Sequence, residues 1–103
     1  MINKKKEYLK SYLLQEKKIE RYEKLASRCP REENNYRKYI ENSEKLRNEI
    51  EEKISLLEDD LLSELLFEKY IFGKTLEEIA LILNYSKRHI ERLHIKALEK
   101  FRL

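Results

Sequence analysis

Gly73 and Pro30 are the only glycine and the only proline in 103 residues, and this scarcity limits the fold more than any other feature of the chain. These two residue types end helices most effectively, whereas Glu, Lys and Leu, abundant here, lose little freedom in a helix. Helices are predicted over about 4–27, 32–58, 60–72, 76–83 and 87–102, and the fold class is all-α.

The first two helices carry matching stripes. Tyr12, Ile19 and Ala26 recur every seven residues, with Tyr8, Gln15 and Tyr22 in a parallel row. Ser27-Arg28-Cys29-Pro30 closes that helix, since proline disfavours helical geometry in the residue before it. Beyond it, Tyr36, Ser43, Ile50 and Leu57 form one row and Tyr39, Leu46 and Lys53 another. Each helix is roughly 35–40 Å long at 1.5 Å per residue, and the short connection predicts an antiparallel hairpin over residues 1–58. Two such strips make a thin core, so a third surface is needed, from the C-terminal segment or from a second copy of the chain. Tyr8, Tyr12, Ile19, Tyr22, Tyr36 and Tyr39 are the predicted packing and assembly residues. The polar members Gln15, Ser43 and Lys53 argue against a uniform coiled coil. Asp59-Asp60 suits a helix start, although without Gly or Pro there the second helix has no obligation to stop.

Residues 59–103 are punctuated as a separate three-helix unit. Gly73 fits a helix C-terminus that requires positive φ. Thr75 and Glu78 form a capping box, Asn84 tolerates the left-handed region, Tyr85 is expected to plug the corner, and Ser86 caps the last helix. Ala80 is small enough for a close helix crossing. In the last helix Ile90, Leu93, Ala97, Leu98 and Phe101 form the inward face, and His94 borders it. The opposite face offers Lys87, Arg88, Glu91, Arg92, Ile95 and Lys96. Residues 86–103 hold six bases against two acids, whereas residues 31–60 hold six against ten. A basic helix after a three-residue turn is how a DNA reader meets the major groove. The predicted DNA-binding residues are Ser86, Lys87, Arg88, His89, Glu91, Arg92 and Lys96, with arginine suited to guanine O6 and N7. Glu91 has two candidate roles, accepting from cytosine N4 or holding Arg88. Leu81 and Ile82 add apolar surface to the short helix before the turn. They are expected to dock on the hairpin or on a partner.

These words resemble region 4 of sigma-70-type RNA polymerase sigma factors. The matching stretches are Glu68-Lys69-Tyr70, Thr75-Leu76-Glu77-Glu78-Ile79-Ala80, Leu83-Asn84-Tyr85-Ser86, Ile90-Glu91-Arg92-Leu93 and Lys96-Ala97-Leu98-Glu99-Lys100-Phe101. The arrangement of the whole chain is similar to phage and prophage transcriptional regulators, the ArpU-type late regulators among their relatives. The resemblance implies a helix-turn-helix that reads a promoter element in the major groove and touches RNA polymerase, with Lys87, Arg88 and Arg92 as base and phosphate contacts. Glu91 departs from the basic or polar residue usual there, and Leu81 from a polar one. No sigma region 2 accompanies the match, so promoter melting is not implied.

Other classes find little footing. Cys29 is alone, so an intrachain disulfide and a thiolate cluster are ruled out. His89 and His94 do not share a helix face, and no metal or cofactor is expected. The carboxylates of residues 49–60 are scattered around helices as solubilising charge, and no catalytic constellation is expected. No apolar run approaches the roughly 20 residues of a membrane span, and a cytoplasmic setting is the expectation. The expected partners are double-stranded DNA, a second copy of the chain in a dimer or larger assembly, and RNA polymerase. Two other functions fit the same residues: a small-terminase-like packaging or scaffold component, and a region 4 mimic that binds protein without reading DNA.

Overall fold

In a computed structural model describing residues 2–103, helix α1 (Ile2–Arg28) runs unbroken until Cys29 leaves helical geometry ahead of Pro30. A single 3-10 turn, Pro30–Glu32, reverses the chain into α2 (Glu33–Ser55). The two helices lie antiparallel, with contacts in reversed register. The Tyr8 hydroxyl donates to Glu49 Oε1 at 2.8 Å and the Tyr12 hydroxyl to Glu51 Oε1 at 3.0 Å. At the other end Tyr22 meets Tyr36 and Tyr39, with ring centroids 6.0 and 5.2 Å apart.

Helix α2 stops at Ser55, three residues short of the predicted end. A new helix, α3 (Asp60–Leu66), begins after Asp59, whose carboxylate accepts from the backbone N–H groups of Leu61 and Leu62 at 3.0 and 3.2 Å. Asp59 thus satisfies donors that the first turn of a helix leaves unpaired. The predicted 60–72 helix does not stay α-helical. Phe67–Ile71 widens into a π turn, with Phe72 N–H donating to the Phe67 carbonyl. Tyr70 points into the core at 3% exposure while its neighbour Ile71 is only half-buried. After Gly73, at φ +70°, come α4 (Leu76–Leu83) and α5 (Lys87–Lys100).

One core spans both halves of the chain. Leu9 and Tyr12 of α1, Ile50 and Ile54 of α2, Leu62, Leu65 and Leu66 of α3, Ile79 of α4, and Ile90, Leu98 and Phe101 at the C-terminus belong to a single buried cluster. The third surface needed by the hairpin is therefore supplied within the chain at its base. Tyr12 and Ile19 are 3% and 8% exposed, already buried and not free to meet a second copy. Tyr8, Tyr22 and Tyr36 are half-buried, and Tyr39 keeps half its surface open. No described helix is long and apolar enough to cross a membrane.

Tyr70 and His94 join the π turn to α5 by a buried hydrogen bond of 2.7 Å between the phenol oxygen and Nε2. Burial first, then the charges of Lys69 and Lys6, hold the imidazole down at about 4, and burial pushes the Tyr70 phenol up to about 12. An unfolded imidazole titrates near about 6.5, so between those values the unfolded chain binds the extra proton. Stability should fall as pH falls through this window and level off below it. Urea midpoints at several pH values check this, and His94→Gln, which keeps a hydrogen-bonding group but loses the titration, should flatten the decline.

Candidate nucleic-acid interface

The corner between α4 and α5 is set by local hydrogen bonds. Thr75 Oγ1 accepts from Glu78 N–H at 3.2 Å and Glu78 Oε1 accepts from Thr75 N–H at 3.3 Å, closing the capping box. Asn84 lies in the left-handed region at φ 60°, ψ 45°. Its N–H reaches the Leu81 carbonyl, and that of Tyr85 reaches the Ala80 carbonyl at 2.9 Å. This pair of bonds is a Schellman termination. Ser86 Oγ then accepts from His89 N–H at 3.1 Å and starts α5.

The corner is filled by Ile79, Ala80 and Ile90, all buried. Tyr85, predicted to plug it, lies outside at 41% exposure with its ring 4.9 Å from that of His89. Small Ala80 already lets the helices close, which leaves no space for a phenol. The expected docking of α4 on the hairpin is also corrected. Helix α4 packs on α5 and the π turn, and Leu81 and Ile82 face outward at 84% and 51% exposure.

Helix α5 buries Ile90, His94, Ala97 and Leu98 and turns Arg88, Arg92, Ile95 and Lys96 to solvent. Among the described residues Arg88, Arg92 and Lys96 make no salt bridge. They are spaced four apart, a cationic row with a rise of about 6 Å per step. Lys87 differs from them. Its Nζ lies 2.7 Å from Glu77 and 3.9 Å from Glu91, and the Glu77 carboxylate raises its pKa above the ordinary lysine value. A phosphate approaching Lys87 must compete with Glu77. Glu91, assigned above to cytosine or to Arg88, has Lys87 as its ionic neighbour instead. Ser86 serves as the cap, and His89 is half-buried against Tyr85.

A second set of cations, which the sequence pattern did not mark as a group, lies beside this face. Lys10 of α1, Lys69 of the π turn, Lys74 of the following turn and Lys87 of α5 line one open cleft of about 570 Å³. Lys69 and Lys74 flank Gly73 in sequence, a visible hint, but their meeting with Lys10 depends on how α1 packs. Within the basic stretch Lys4-Lys5-Lys6, Lys5 Nζ donates to the Glu99 carbonyl at 3.1 Å, near the end of α5. No group of three potential metal-ligating side chains occurs among the described residues. No family model, characterised protein or solved structure matches this chain.

Proposed function

We propose that the chain is a sequence-specific regulator that binds double-stranded DNA, with α4 and α5 acting as a helix-turn-helix and α5 lying in the major groove. The observation that carries the proposal is the row Arg88, Arg92, Lys96, solvent-facing and without carboxylate partners among the described residues, on a helix whose opposite face is locked into the core. A reading helix must be held rigidly, because a base-edge contact tolerates little displacement. Buried Ile90, Ala97 and Leu98 supply that rigidity here. The resemblance of residues 61–101 to sigma region 4 points to the same class. Selection of bound sequences from a random duplex pool is the test. An enriched motif is expected, palindromic if the protein acts as a two-fold dimer. A pool that remains random after repeated rounds sinks the proposal.

Exposed Leu81 and Ile82 favour a second reading, contact with another protein such as RNA polymerase through α4. Capture of polymerase without DNA, lost in Leu81→Ser, would support it.

Glu77→Gln offers a check on the electrostatics. Removing the carboxylate that holds Lys87 frees one cation at the groove edge. Affinity for all duplexes should rise together, and the slope of log K against log salt should steepen by about 0.9. Anisotropy titrations at three salt concentrations measure both.

A further inference from the structure

The cleft beside α5 holds cations that the fold has left unpaired. Lys10, Lys69 and Lys74 line it together with Lys87, and Lys6 lies one helical turn before Lys10. The carboxylates on its wall are Glu77 and Glu91, both directed to Lys87. Among the described residues, no salt bridge involves Lys6, Lys10, Lys69 or Lys74. Lys69 is half-buried, with Nζ 5.7 Å from the centroid of the Tyr70 ring. Burial, then the charges of Lys10 and Lys6, push its pKa below the ordinary lysine value. A half-buried ammonium facing two like charges is unfavourable in the free protein, and an anion in the cleft would relieve it.

Position identifies the anion. Lys87 and Glu91 belong both to this cleft and to one edge of α5. A helix about 10–12 Å across fills a major groove about 12 Å wide, so phosphates border both flanks of a helix seated there. With Arg88 and Arg92 turned to the bases, one backbone strand passes the Lys87 edge and the mouth of the cleft. Ammonium groups are compact point charges suited to phosphate.

We propose that Lys10, Lys69 and Lys74 form a phosphate seat on the flank of α5, through which the helical hairpin itself takes part in nucleic-acid binding. The seat rests on the DNA-binding function proposed above, and it gives α1 a role beyond packing. Lys10 is brought to the seat by the contact of Leu13 with the Gly73 turn, where the Leu13 methyl Cδ1 comes within 3.8 Å of the position a Cβ would take.

The test uses the full chain and a duplex of random sequence. Lys10→Gln and Lys69→Gln should each reduce the salt slope by about 0.9 and weaken binding about fivefold at about 0.15 M salt, with the base preference unchanged. Lys38→Gln, which removes the same charge from an exposed position near the hairpin tip, should leave the slope as it is. If the wild type binds duplex and both cleft variants keep its slope, the seat is overturned while the DNA-binding function stands. If the wild type binds no duplex, that function fails, and inorganic phosphate becomes the probe. Shifts of the Lys10 and Lys69 amide resonances on phosphate titration, absent in the double variant, would then assign the seat to a free phosphate ligand. No shifts would overturn it.

Discussion

Phe101→Ala is expected to lower the free energy of unfolding by about 3–5 kcal/mol, the usual range for deleting a buried phenyl ring. Phe101 follows the last turn of α5, is fully buried, and lies 6.1 Å from the Tyr8 ring. It seals the C-terminal helices to the base of the hairpin. A small domain has only about 5–15 kcal/mol in total, so this one substitution removes a large share. Urea unfolding followed by circular dichroism should show one cooperative transition in the wild type, and a much lower midpoint with a similar slope in the variant. Two separate transitions in the wild type would mean that the hairpin and the C-terminal helices do not share a core.

Arg92→Ala should act on binding with no comparable effect on folding, because the side chain is exposed and makes no salt bridge among the described residues. A forked arginine contact with guanine is worth about 1–3 kcal/mol of discrimination. Affinity for the selected site should therefore fall about 5- to 150-fold, while affinity for random duplex falls only slightly. The selected motif should also lose its preference at one base pair. Arg88→Ala should relax a neighbouring position in the same way. An unchanged motif in both variants would remove direct readout from the row on α5. This pattern differs from that of the cleft lysines, whose loss weakens all sequences alike, and from that of Glu77→Gln, which strengthens them alike.

Features that depend on a few consecutive residues were legible in the sequence. The Gly73 and Asn84 turns, the Thr75–Glu78 box, the Ser86 cap and the reversal at Pro30 all occur where the residue types place them. Each is a backbone requirement met by one side chain or by one allowed φ. The exposed face of α5 was legible for a related reason, since its inward residues repeat at helical spacing and leave only one other side. The π turn was not legible, because Phe67–Ile71 reads as ordinary helix and the widened turn accompanies packing of Tyr70 against His94 on α5. The pairing of Lys87 with Glu77 was also hidden. Those residues are on different helices, and the angle between α4 and α5 brings them together.

The sequence by itself determined that the chain is helical, where most of its turns fall, and which side of α5 is basic, because these follow from interactions spanning no more than a few residues. Only the tertiary structure decided what covers the hairpin, which cations remain unpaired, and where Leu81 and Ile82 face. Each of these depends on groups far apart in the chain meeting at the base of the hairpin. There Leu9 of α1 and Leu98 of α5 belong to one core, and packing rather than local preference selects the neighbours.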